Sequence, residues 1–323
     1  MLLHELKLKA KPVSTIQFGF ILPSEGRDKQ NRPTLVEDLN KALDLITGHF
    51  DSAWMIDHLQ FGDCDVLEGF TALTYLSALY LQLKFGNSVL CQSFRNPALL
   101  AKMSATLQFM SGGQFILGLG AGWHEEEYKS YGYEYPPARV RVEQLEEVTQ
   151  IIQKMWQDEM VTFEGQHYRV IEARCEPRTL PVPPIIVGGF KPKMLRLTAK
   201  DADWWNVSST SLARYRPMVE RLAQYCIELG RDPSTIRKIW AGGCACAPIQ
   251  EEAAALVEDR GSTDDEDDFD FVGTPKQLIE KMRPFIELGV DYFMFDCGGF
   301  PKLTTLEKLI NEVLPAFAEY EVE

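Results

Sequence analysis

Three short stretches carry residue types that could do chemistry. In the first, Asp57-His58, an imidazole directly follows a carboxylate, and His58 is one of only five histidines. An imidazole gains or loses a proton near neutral pH, so at the rim of a pocket His58 could act as acid or base. Taken as a residue alone, it reads rather as a structural histidine bonded to a backbone carbonyl. The second stretch, Gly118-Leu119-Gly120-Ala121-Gly122-Trp123-His124-Glu125, runs from an apolar segment into glycines, an aromatic ring and an acid. Backbone without side chains at Gly120 and Gly122 lets a flat ligand approach closely, and Trp123 could cover it. The same glycines also suit a tight turn that serves only packing. In the third stretch, Gly188-Gly189-Phe190-Lys191-Pro192-Lys193, a glycine pair leads into a predicted helix. Free N–H groups and two lysines would converge there in a way that suits a phosphate, against the plainer reading of a solvated loop.

These stretches fall where predicted strands end. Apolar runs read as strands at Thr15–Phe20, Asp51–Ile56, Phe85–Leu90, Phe115–Leu119, Ile185–Val187, Asp203–Val207, Lys238–Ala247 and Val290–Phe295. Helical patterns lie between them. Thr34 with Glu37 resembles a capping box, Glu68 to Leu83 reads as a helix, and Pro97 starts another that Ser111-Gly112-Gly113 stops. Val161–Glu164 and His167–Val170 flank Gly165-Gln166 as a small hairpin insertion, Thr274-Pro275 caps a helix, and a last helix runs near Thr305–Tyr320. Strands alternating with helices in this way predict a closed (β/α)8 TIM barrel, an α/β fold whose sites sit at the C-terminal strand ends. A doubly wound open sheet is the alternative. The strand ends to search are Phe20, Asp57-His58, Ser88 to Gln92, Gly120 to Trp123, Gly188-Gly189, Asn206 to Ser208 and Asp296-Cys297.

Composition narrows the class. With 45% apolar and 25% charged residues in 323, the chain is expected to be one soluble domain with an N-terminal extension over 1–14. A formal net charge of -14, without a long run of Lys or Arg, argues against a nucleic-acid surface. Seven cysteines, an odd number with no metal-like spacing, point to free thiols in a reducing cytoplasm. Cys244 and Cys246 read as buried thiols on one strand face. Charges break any apolar core in Met1 to Lys11, so no signal peptide is expected there, and no apolar run reaches spanning length. No cluster of His, Cys or carboxylates has metal-ligand spacing, so no metal is expected. The acidic run Asp264–Asp268 reads as a solvated loop.

Gly118 to Tyr131, the helix from Arg139 to Trp156, Val161-Thr162-Phe163-Glu164-Gly165 and Pro184-Ile185-Ile186-Val187-Gly188-Gly189 resemble, in order and spacing, the luciferase-like family of flavin- and deazaflavin-dependent oxidoreductases. The resemblance runs from about residue 15 to the C-terminus. It implies that Asp57, His58 and Trp123 stand at the reacting centre, with His58 catalytic and Asp57 either orienting it or touching the ring. It further implies that Ser88 and Val89 form a bulge with a cis peptide against the ring. Gln92, Gly120, Ala121 and Gly122 line the cofactor, and Gly188 and Gly189, with Lys191, meet its side chain and phosphate. Trp123 departs from one branch of the family. Deazaflavin-dependent sugar-phosphate dehydrogenases carry a catalytic acid at that position, which puts a sugar phosphate in doubt. The expected function is hydride transfer between coenzyme F-420 and a small substrate. The alternatives are a monooxygenase using reduced FMN and oxygen, and a flavin-binding barrel without turnover. No membrane partner is expected, and the one assembly considered is a homodimer.

Overall fold

The computed structural model describes residues 14–26, 34–62, 65–178, 180–257, 271–318 and 321–322. The barrel strands are β1 (Gln17–Ile21), β2 (Ser52–Met55), β3 (Lys84–Asn87), β4 (Phe115–Gly120), β5 (Ile185–Gly188), β6 (Trp204–Ser208), β7 (Arg237–Cys246) and β8 (Val290–Cys297). All pair in parallel with their sequence neighbours, and β8 returns to β1 to close the ring. Two short segments, Leu90–Cys91 and Phe271–Gly273, add to β4 and β7.

Burial explains the apolar runs. Every residue of β2 and of β4 is buried, as expected for strands covered on both faces. Alternate residues divide between two cores. Trp54, Ile116, Ile186, Ile239, Ala241, Tyr292 and Met294 pack together inside the barrel. Their strand neighbours, among them Met55, Phe115, Leu117, Val187 and Phe293, belong to the larger core under the helices.

The helices are α1 (Leu35–Ile46), α2 (Gly69–Leu79), α3 (Pro97–Met110), α4 (Glu125–Ser130), α5 (Ala138–Gln157), α6 (Pro192–Asp201), α7 (Leu212–Glu228), α8 (Gln250–Ala255), α9 (Pro275–Glu287) and α10 (Thr304–Lys308). None is long and apolar enough to cross a membrane.

The eight expected strands are present, with differences at their ends that have local causes. The third was expected to run to Leu90 and stops at Asn87; the Ser88–Val89 peptide that follows is cis, and Leu90–Cys91 pairs with β4 alone. Thr34 precedes α1 but its side chain does not cap the helix, and Glu37 pairs with Lys41 instead. Thr274 and Gln277 do form a capping box. The α2 helix begins after Glu68, whose carboxylate accepts from the Phe70 and Thr71 amides, and ends at Leu79. The last helix tightens and loosens in turn, passing through a π segment at Leu309–Val313 and a 3-10 segment at Leu314–Phe317. The hairpin insertion pairs Val161–Glu164 with Arg169–Ala173, and its turn is held by Glu147, which accepts from the amides of Gln166, His167 and Tyr168. Cys244 and Cys246 are buried, as are the other described cysteines. Ser14–Thr15 pairs with Glu321–Val322, while residues 1–13 and the acidic run lie outside the described residues.

Glycines at the ends of β4 and β5 are required by one side chain and one carbonyl. A methyl on Gly120 would meet Val89 at 2.6 Å and one on Gly188 would meet it at 3.2 Å, while one on Gly118 would collide with the Asn87 carbonyl. Gly118→Ala should therefore destabilise the fold by roughly 1–3 kcal/mol through overpacking against rigid backbone, read as a lowered denaturation midpoint with unchanged slope.

Candidate active site

Asp57 and His58, adjacent in sequence at the end of β2, enter separate networks. The Asp57 carboxylate is fully buried and takes both ends of the Arg95 guanidinium, at 2.7 and 2.8 Å. It also accepts from the Cys91 amide at 2.8 Å. Arg95 reaches Glu68 as well, so one cation ties the end of β2, the start of α2 and the segment before α3. Burial opposes the Arg95 charge, but Asp57 and then Glu68 outweigh it and raise its pKa. The expectation that Asp57 orients His58 is corrected here: its oxygens are bound to Arg95 and to backbone.

Glu127 is the carboxylate that reaches His58. The His58 Nδ1 lies 3.2 Å from Glu127 Oε1, and Oε2 accepts from the Leu59 amide at 2.9 Å. Three acids open α4, where negative charge suits the helix dipole, but they face differently. Glu125 pairs with Lys129 in solvent, Glu126 is exposed, and Glu127 is buried. His124 turns inward beside them, with its Nδ1 buried and without a partner. Donor atoms of His58, His124 and Glu127 lie within 4.8 Å of one another, a grouping that sequence spacing did not reveal. An ion held by His58 Nδ1 would displace the hydrogen between that nitrogen and Glu127.

The Gly122 turn is held on three sides. Gly122 has φ +75, and a methyl there would collide with the Tyr128 hydroxyl. That hydroxyl sits 2.9 Å from Cys91 Sγ and donates to Ser93 at 3.0 Å. Arg141 donates to the Gly122 carbonyl and lies over the Tyr135 ring, whose hydroxyl donates to the Trp123 carbonyl. Burial pushes the Cys91 thiol up to about 11 and raises Tyr128 too, so both stay protonated at neutral pH. The glycines of this turn thus serve packing against Val89 and Tyr128. Trp123 remains 65% exposed, stacked beside His124 and edge-on to His58 and Phe61.

The remaining expected residues divide. Ser88 accepts from Asn206 Nδ2 at 3.0 Å, and Asn206 Oδ1 is buried with no partner among the described residues. Gln92 is spent elsewhere: it bonds Ser93, Gln144 and Tyr168, joining the third strand end to the hairpin insertion. Gly189 has φ +132, and its amide donates to the Asn206 carbonyl. Lys191 folds over Phe190 and Lys193 lies 3.7 Å from Glu143, so the two lysines do not meet at one point. No side chain caps α6, which leaves its first amides open to an anion. Arg95, His124 and Glu127 were not singled out for these contacts from sequence. Only the burial pattern around α4 separates Glu127 from its two acidic neighbours.

A closed parallel barrel with its protonatable groups gathered at the C-terminal strand ends is the architecture of a (β/α)8 enzyme. The chain belongs to the luciferase-like monooxygenase family, which residues 16–292 match. It is 28% identical over 302 residues to the F-420-dependent glucose-6-phosphate dehydrogenase of Microbacterium testaceum, covering 82% of this chain and 88% of that one. The corresponding enzyme of Nakamurella multipartita is 27% identical, over 93% of this chain and 96% of its own. Among solved structures, an F-420-dependent secondary alcohol dehydrogenase in complex with an F-420–acetone adduct superposes with a TM-score of 0.78 at 18% identity, covering 93% of this chain and 99% of that one. The EDTA monooxygenase of a Chelativorans species matches equally, with a TM-score of 0.78 at 15% identity over 94% and 93%.

Removing the buried cation isolates its contribution. Arg95→Leu leaves the buried Asp57 carboxyl without its cation, and should cost about 3–5 kcal/mol. Urea denaturation measures it, and a loss below about 1 kcal/mol would place the pair in the weak range of exposed bridges.

Proposed function

We propose that this chain is a two-electron oxidoreductase that holds coenzyme F-420 in the barrel mouth and moves hydride between it and a small substrate. The observation that carries the reading is the His58 ring at the end of β2, with Nδ1 held by Glu127 and Nε2 without a partner among the described residues, in a chain whose relatives are F-420-dependent dehydrogenases. The mouth also suits a flat ring with its own N–H groups. Asn206 Oδ1 is an unused buried acceptor beside Ser88, and the cis Ser88–Val89 segment packs between strand-end glycines.

A deazaflavin supplies hydride chemistry that the side chains themselves lack. The residues divide the rest of the work. His58 Nε2 gives or takes the proton that accompanies hydride at the substrate. Asp57, whose oxygens are bound to Arg95 and the Cys91 amide, fixes the backbone that carries His58. Trp123, Phe61 and His124 form aromatic walls around it and limit water. The open amides of α6, with Gly188, Gly189 and Lys191 nearby, are the place for a cofactor phosphate. Trp123 has no proton to transfer, so acid chemistry falls to His58, and a substrate other than a sugar phosphate fits better.

Titration of Trp fluorescence with F-420 and with FMN tests the cofactor. Binding of F-420 and anaerobic oxidation of its reduced form by a substrate are expected, and His58→Ala should slow that step by roughly 10²- to 10⁴-fold while affinity changes far less. Turnover that requires reduced FMN and oxygen would establish a monooxygenase, and binding of neither cofactor would remove both.

We further propose a homodimer through α2 and α3. The α2 helix has no charged residue and α3 has only Lys102, yet both lie on the outside of the barrel. Tyr75, Leu79, Leu99, Phe109 and Met110 are all exposed large apolar side chains on these two helices. Leu99, Met103, Thr106 and Met110 make one stripe at helical spacing. Light scattering should give twice the chain mass, and Tyr75→Glu with Leu99→Glu should give the monomer. A wild-type monomer at micromolar concentration would refute the interface.

A further inference from the structure

We propose that Glu127 is a positioning residue that holds the neutral His58 ring in its Nδ1–H form and so leaves Nε2 as the nitrogen that exchanges protons at the barrel mouth. The role of Nε2 rests on the oxidoreductase reading above; the tautomer does not.

The argument begins with donors and acceptors. Glu127 already serves as an acceptor for the Leu59 amide, and His58 Nδ1 lies 3.2 Å from one of its oxygens and 3.3 Å from the other, so the same carboxylate faces Nδ1 as an acceptor and assigns the hydrogen to that nitrogen. The Glu127 side chain is 3% exposed, which leaves its oxygens to be met by protein donors. Those donors are the His58 ring and the Leu59 amide, consecutive in the chain. One carboxylate therefore clamps both the imidazole and the backbone that bears it, and fixes the ring's orientation as well as its tautomer.

Other charged and titratable groups around the ring do not compete for Nδ1. Asp57 is saturated by Arg95 and the Cys91 amide. Cys91 and Tyr128 bond one another, and burial keeps both protonated. His124 has its ring centroid 6.0 Å away, with Nε2 turned to the exposed Glu126 at 3.9 Å. Phe61 and Trp123 touch the imidazole edge-on, at 5.2 and 5.8 Å between centroids. Among the described residues Glu127 is thus the one carboxylate bonded to His58.

The first test needs no cofactor. Nitrogen-15 NMR of histidine-labelled protein, with the His58 signals assigned by their loss in His58→Gln, should show the neutral ring protonated at Nδ1 and bare at Nε2. In Glu127→Leu the ring should move toward the Nε2–H form that free imidazole side chains favour. The second test uses Glu127→Gln, which keeps an acceptor for Leu59 and removes the charge. Anaerobic hydride transfer should fall by about 10- to 100-fold in kcat with KM little changed, and the pH profile of kcat should move to lower pH. A wild-type ring protonated at Nε2, or a Glu127→Gln enzyme with the wild-type pH profile, overturns the proposal. One zinc ion retained per chain on equilibrium dialysis overturns it as well, since Nδ1 and Glu127 would then be ligands. If neither F-420 nor FMN supports turnover the functional reading falls, while the NMR result still decides the tautomer.

Discussion

The barrel mouth depends on where the Val89 side chain goes. After the Ser88–Val89 peptide the chain leaves the β3 ladder, and Val89 fills the space beside Gly120 and Gly188 on the next two strands. Neither glycine could carry a side chain without displacing it. Strand ends β3, β4 and β5 are thereby locked into one surface whose shape is set by a valine and by missing methyl groups. Rigid packing of this kind matters because interiors are close-packed and do not deform smoothly. A site built on it inherits a fixed geometry before any ligand arrives.

Charge is organised with similar economy. Two neighbouring residues at one strand end carry a carboxylate and an imidazole, and the fold assigns each a partner from another element: Arg95 for Asp57, Glu127 for His58. Separating the two keeps the imidazole free of the strongly held ion pair. A buried pair such as Asp57 with Arg95 is weak support for net stability, since desolvation offsets much of the attraction. Its value lies in fixing geometry, because Arg95 also meets the carboxylate that caps α2.

Much of this was legible in the chain. Buried parallel strands announce themselves as continuous apolar runs, and all eight were placed, as were the longer helices between them, because period and turn residues agree, whereas the short α4 was not read as a helix. Asp57-His58 and the glycine pairs stood on the short search list that the strand ends of such a barrel form, whereas the cis bond at Ser88–Val89 was implied by the family resemblance alone. Partners were harder. Nothing in Glu125-Glu126-Glu127 distinguishes the buried acid from its exposed neighbours until the pose of α4 is known. Gln92 looked like a mouth residue from its position and proves to be bound to the hairpin insertion. For Gly120 and Gly122 the sequence shows that a side chain is missing, while the fold shows that Val89 and Tyr128 occupy the space a methyl would take.

The Glu147 carboxylate has a consequence for how this chain could diversify. It sits on α5 and gathers three successive amides of the hairpin turn, while Tyr168 of the same hairpin bonds Gln92 at the third strand end. The insertion is therefore bolted at its tip to a core helix and at its flank to the rim. Such a segment does not behave as a swinging flap. It is a cassette tied to its bolt: a differently shaped hairpin would leave the Glu147 carboxylate without its three amides unless residue 147 changed with it.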